Sequence, residues 1–156
     1  MISSPSTPEL VDVEGATTAV IRAVVAVGEL AGFFDRSFST LAAVTASQNV
    51  GVTGPAFALY HEAPGATADL EVGFPTAQPV APADTVEVGS LPAGPAARLI
   101  HRGSYDGLGW SWERLARWMG DEGLEPGPMF WEIYVTEPSP DMDPADLRTE
   151  LVWPLA

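Results

Sequence analysis

Cysteine and lysine are both absent from the 156 residues. The first absence excludes disulfides, thiolate nucleophiles and cysteine zinc sites, and leaves the redox compartment open. The second leaves seven basic residues, all arginine, against 21 acidic ones, for a formal net charge of -14. A phosphate-binding groove is therefore not expected, because affinity for nucleic acid rests mainly on basic side chains that neutralise phosphates. Only two histidines occur, His61 and His101, far apart and outside any HExxH spacing, so no metal and no cofactor is expected. Ser104 and Ser111 lack a GxSxG setting, and there is no glycine-rich phosphate loop. Long hydrophobic runs are missing too. The most apolar stretch, Ala19 to Phe34, is interrupted by Arg22 and Glu29, short of the roughly 20 clean residues of a membrane helix. Arg22 is also the first basic residue, so no positive region precedes an apolar run as in a secretory leader. These absences imply a protein that binds neither nucleic acid nor membrane and resides in the cytoplasm.

What is present is a chain 46% hydrophobic and 18% charged, too apolar for disorder along its whole length and the right size for one domain, residues 1–156. Its acidic surface attracts cations weakly, in a salt-dependent way. Residues 1–8 (MISSPSTP) have little to bury and read as a frayed end. A second Pro- and Thr-containing stretch, 76–85 (TAQPVAPADT), lies near the midpoint and reads as a linker between two similar lengths, 10–75 and 86–156.

The two lengths match in order. One constant shift places Gly15 on Gly94, Val20 on Leu99, Ile21 on Ile100, Gly28 on Gly107 and Phe33 on Trp112. The same shift sets Glu71 on Glu150 and Pro75 on Pro154, while a slightly smaller one aligns Gly54-Pro55 with Gly127-Pro128, each leading to Tyr60 or Tyr134. In the second half, AARLIHR reads as a strand, and Leu108, Trp112, Leu115 and Met119 form a helical stripe that ends at Gly120 and Gly123. MFWEIYV and TELVW then read as an antiparallel pair joined by the loop EPSPDMDPAD. The first half offers TTAVIRAVVAV, a helix with Leu30, Phe33, Phe34, Ser37 and Leu41 on one face, then AFALYHE and DLEVGF. Each half thus predicts strand, helix, strand, strand.

The order of Leu91-Pro92-Ala93-Gly94, His101-x-Gly103-x-Tyr105, Gly127-Pro128, Trp131-Glu132-x-Tyr134 and Thr149-Glu150-x-x-x-Pro154 resembles the GyrI-like small-molecule-binding domain, or AraC-type effector-binding domain, from Val86 to the end. The resemblance implies an α+β fold: duplicated βαββ units with pseudo-twofold symmetry, an antiparallel sheet and two helices flanking a ligand groove. It also implies a free-standing member, since the length leaves no room for an added helix-turn-helix domain.

Alternation along a strand puts Glu132 and Tyr134 on one face, about 6.6 Å apart in rise, so a carboxylate and a phenol can address one ligand. Together with the resemblance, this makes Glu132, Tyr134, Tyr105, Trp110, Phe57 and Tyr60 the candidate ligand residues. Trp112 is read as core, and His101 as fixing the strand-to-helix turn. Three functions follow: sequestration of small hydrophobic, aromatic or cationic molecules; hydrolysis of strained cyclopropane-containing electrophiles with Glu132 and Tyr134 as the catalytic pair; or interaction with a protein partner such as DNA gyrase. The sequence leaves ligand identity, turnover and oligomeric state open.

Overall fold

The computed structural model describes residues 7–136 and 141–156. Ten main elements follow in order: β1 (Glu9–Val13), β2 (Ala16–Ala26), α1 (Leu30–Ser47), β3 (Phe57–Tyr60), β4 (Thr67–Pro75), β5 (Glu87–Leu91), β6 (Gly94–Arg102), α2 (Leu108–Asp121), β7 (Phe130–Tyr134) and β8 (Arg148–Pro154). The strands form one antiparallel sheet in the order β1-β6-β8-β7-β3-β4-β2-β5, curled into a half-barrel. Exchanging β1–β4 for β5–β8 returns the same order read backwards. The halves are therefore related by a pseudo-twofold axis between β3 and β7, at the centre of the sheet.

The strand, helix, strand, strand pattern is present in both halves, and each is preceded by a short strand that the pattern did not include. These leading strands are exchanged: β1 pairs with β6, and β5 with β2. Both are short and largely exposed, so neither carries the apolar run by which a strand is recognised in sequence. The turns that follow them meet at the axis. Gly15 has φ +79°, and a Cβ there would sit 3.0 Å from the Leu91 carbonyl oxygen, so glycine satisfies both the left-handed backbone and the close approach.

Period-2 alternation sorts the sheet into two apolar faces. On one, Ala19, Ile21, Leu70 and Val72 pack against Phe33, Leu41 and Val44 of α1. On the same side, Ala97, Leu99 and Leu151 pack against Leu115 and Met119 of α2. The opposite face collects Val20, Phe57, Leu59, Trp131 and Val152 with no helix residue. Burying each side chain of this size stabilises the fold by roughly 1.5–3 kcal/mol, and this packing rather than intrinsic propensity holds helices of such length.

The ends of both helices use one device. In α2 Gly123 has φ +72° and the Leu124 N–H donates to the Met119 carbonyl; in α1 Asn49 has φ 57° and the Val50 N–H donates to the Thr45 carbonyl. Each places a left-handed residue just past the helix and an apolar residue after it, and Leu124 packs with Met119.

The hydrogen-bonded register corrects part of the internal alignment. A match of Val20 with Leu99 pairs residues on opposite faces, because a one-residue slip in a strand turns every side chain over. Ile21 is the helix-side counterpart of Leu99. The helices open at Leu30 and Leu108, so Phe34 rather than Phe33 corresponds to Trp112. Within 76–85, Val80 is buried and Thr76 and Ala83 form isolated bridges, so that stretch packs onto the fold. Most of the expected frayed end (1–6) and part of the EPSPDMDPAD loop (137–140) lie outside the described residues.

Candidate functional site

The β7 strand presents Phe130, Glu132 and Tyr134 to the helix side and Trp131 and Ile133 to the other. In the central ladder Glu132 lies opposite Ala58 of β3. The pseudo-twofold makes these two positions counterparts, and it likewise relates Tyr134 to Tyr60. A second carboxylate at position 58 would face Glu132 directly across the strands, where like charges repel. The alanine also leaves room above the sheet for the Glu132 side chain.

Glu132 is only 7% exposed. Its Oε2 accepts a hydrogen bond from Trp112 Nε1 at 2.9 Å, and its Oε1 accepts one from the Tyr134 hydroxyl at 3.0 Å. Burial pushes the carboxyl above its ordinary pKa, against the opposing pull of the Trp112 and Tyr134 hydrogen bonds and of His101. Burial first, and then the Glu132 charge, raises the Tyr134 phenol well above its usual range. Tyr60 and Tyr105 are raised for the same two reasons. At neutral pH these phenols are therefore neutral donors.

Above this floor lies a groove of about 900 Å³ lined by Phe34, Phe38, Phe74, Tyr105 and Tyr134, with Asp35 at α1. A second cavity of about 420 Å³ lies along α2, lined by Trp112, Phe130 and Trp153 with Glu113. The two share Tyr60, Leu108 and Glu132. Edge-on aromatic contacts set the walls: Tyr105 to Tyr134 at 5.9 Å, Phe34 to Tyr134 at 6.4 Å and Trp112 to Phe130 at 4.8 Å. Among the described residues no arginine or histidine lines either cavity. The site is thus one desolvated carboxylate among aromatic faces.

Four of the six candidate residues, Glu132, Tyr134, Tyr105 and Tyr60, meet at the groove. Phe57 does not. Lying between the helix-facing positions Ala56 and Ala58, it points to the opposite face and is fully buried there against Trp131 and Val152. Trp110 is 77% exposed and lines neither cavity, because its place on α2 turns it away from Leu108, Trp112 and Leu115.

Trp112, read as core, does pack against both helix-side clusters, but its indole N–H also holds the carboxylate. Phe34, Phe38 and Phe74 were missed. Phe34 and Phe38 are spaced by one helical turn beside the Phe33, Ser37, Leu41 stripe, and that second aromatic row was the available signal. His101 serves the turn: Nε2–H donates to the Ser104 carbonyl at 2.7 Å, and Nδ1 shares a hydrogen bond with the Ser111 hydroxyl at 2.7 Å. Gly107 lets α2 begin against that ring, since a Cβ there would lie 3.0 Å from His101 Cε1.

The fold recurs in solved structures. The C-terminal domain of EcmrR superposes with a TM-score of 0.85 at 20% identity, covering 97% of this chain and 98% of that one. In the EcmrR–DNA complex the match spans 57% of the EcmrR chain. A hydrolase encoded by lin2189 from Listeria innocua gives a TM-score of 0.67 at 15% identity, covering 98% of this chain and 94% of that one. SAV2435, solved bound to tetraphenylphosphonium, gives 0.63 at 13% identity, covering 96% and 94%. No curated protein matches the chain in a sequence search. The sequence profile of the GyrI-like small molecule binding domain matches residues 6–156.

Proposed function

Because the chain belongs to the GyrI-like small-molecule-binding domain family, we propose that it binds lipophilic, aromatic cations in the groove above Glu132. The observation that carries this reading is the buried Glu132 carboxylate, held by Trp112 and Tyr134 inside an aromatic wall that, among the described residues, no arginine or histidine lines. An incoming cation supplies the missing positive charge, and each aromatic face adds about 0.5–2 kcal/mol. The tetraphenylphosphonium in SAV2435 supports the ligand class as an analogy of fold.

The pH dependence tests it. Burial raises the Glu132 pKa, so below that value the empty site is protonated and the cation must displace a proton. Affinity for tetraphenylphosphonium, measured by calorimetry between pH 4 and 8, is expected to rise with pH by up to about tenfold per unit and then level off. Proton release at the lower end should appear as a buffer-dependent heat. Affinity that does not change with pH would overturn the role of Glu132.

Hydrolysis of strained electrophiles is the second reading, favoured by the Tyr134–Glu132 hydrogen bond and the fold of the Listeria hydrolase. Glu132 would deprotonate a water that adds to the ring carbon as the C–C bond opens, and Tyr134 would supply the proton taken up by the opened ring. Tyr134→Phe separates the two. For a binder it costs about 0.5–1.5 kcal/mol of affinity, the net worth of one hydrogen bond. For a hydrolase, binding of a cyclopropane-containing substrate is retained while turnover falls roughly 100-fold. The raised Tyr134 pKa makes the phenol a poor acid, which favours binding.

A further inference from the structure

The two cavities are copies of one another. Counting from Leu30 and Leu108, where the helices open, Phe34 corresponds to Trp112, Asp35 to Glu113 and Phe38 to Ala116. The first residue of each pair lines the larger cavity and the second lines the smaller. The strands repeat the relation: Phe74 of β4 and Trp153 of β8 occupy matching places, as do Tyr134 and Tyr60. Glu132 belongs to both cavities and stands beside the axis opposite Ala58. Its oxygens divide accordingly, Oε1 toward Tyr134 of the larger cavity and Oε2 toward Trp112 of the smaller. Tryptophans stand in the second cavity where the first has Phe34 and Phe74, and Ala116 stands where the first has Phe38.

From this we infer that the groove is a two-lobed site for a two-armed cation, with the charged centre over Glu132 and one flat arm in each lobe. The inference rests on the lipophilic-cation reading above and specifies its ligand class. Each lobe carries one carboxylate of its own, Asp35 on α1 and Glu113 on α2, both exposed. Negative charge therefore sits at the centre and along both arms. That distribution matches a delocalised diaryl cation, whose positive charge extends into amino-substituted rings on either side. A compact one-armed cation fills the larger lobe, among Phe34, Phe38, Phe74 and Tyr134, and leaves the smaller to water.

Auramine O, a diaryl cation whose fluorescence rises when its rings are held, is the two-armed probe, and 4-(dimethylamino)benzamidinium is the one-armed probe. Ala116→Phe puts into the smaller lobe the residue that α1 carries at Phe38. It is expected to weaken auramine O about tenfold and to leave the one-armed cation within twofold. Glu113→Gln, an exposed change with no packing cost, should weaken auramine O two- to threefold and the one-armed probe not at all, so the inference stays testable if Ala116→Phe does not fold. Equal effects on both probes, or none on either, would overturn the two-lobed site. Glu132→Gln keeps the two readings apart. Weakening of both probes by Glu132→Gln, with neither affected by Ala116→Phe, sinks the two-armed ligand alone; no weakening by Glu132→Gln sinks the cation reading itself.

Discussion

Glu132→Gln is expected to weaken tetraphenylphosphonium binding roughly 100-fold while leaving the affinity for a neutral aromatic of similar size within a factor of two or three. At an effective dielectric near 20 and a separation of about 5.5 Å, the lost attraction is about 3 kcal/mol, and 1.36 kcal/mol is a factor of ten. The amide keeps the shape of the site and one acceptor for Trp112 or Tyr134, so the contrast between cation and neutral ligand reports charge. Stability should move the other way. Because burial raises the Glu132 pKa in the folded state, the unfolded chain binds fewer protons than the folded one between the ordinary carboxylate value and the raised one. Folding stability contributed by this group therefore falls as pH rises through that window and is constant above it. The Gln variant escapes that loss. Its melting temperature is expected to equal or exceed the wild-type value at pH 8, with the difference closing at pH 4. Equal affinity of both proteins for the phosphonium would show that the carboxylate does not meet the ligand.

Gly73→Ala is expected to destabilise the protein by at least about 3 kcal/mol, lowering the melting temperature by roughly 6–12 °C for a chain of this size. Gly73 lies in β4, paired with Val20 of β2 and with Phe57 of β3. A Cβ there would clash with the Ala19 carbonyl oxygen and lie 2.9 Å from Val20 Cγ1. The obstructing oxygen is backbone in a buried strand, so no side chain can turn aside. Relief requires β2 and β4 to separate there, which disturbs the packing of Phe57, paired with Gly73 on the other side. Gly65→Ala is the control: its Cβ would meet nothing within 4 Å, and it should melt within about 2 °C of wild type. Identical melting of the two variants would refute the close approach.

The legibility of the site differed residue by residue. Glu132 and Tyr134 were readable because strand alternation guarantees that neighbours two apart share a face, whatever the sheet does next. Tyr60 was found through the repeat, as the aromatic that ends the segment after Gly54-Pro55. Phe57 failed on the same rule: it is an odd number of residues from Tyr60, and its aromatic character outweighed its parity. Trp110 failed because a helix contributes only one stripe to a groove, and its position lies off the stripe that Leu108, Trp112 and Leu115 define. The dual role of Trp112 was hidden because a helical stripe shows that a side chain is covered, not that its indole N–H has a carboxylate to hold.

Local pattern alone determined the two helices, the strands with apolar alternation, the internal duplication and the carboxylate–phenol pair on one strand face. Those features depend on periodicity and on neighbours close in the chain, which the residue order states directly. Tertiary structure alone decided the exchange of β1 and β5 between halves, the one-residue correction to the repeat, and the meeting of Trp112, Tyr134 and Glu132. Each of these depends on pairing between segments distant in the chain. In a sheet a slip of one residue inverts the face, and only the closed set of cross-strand hydrogen bonds and the packing of both faces select the register.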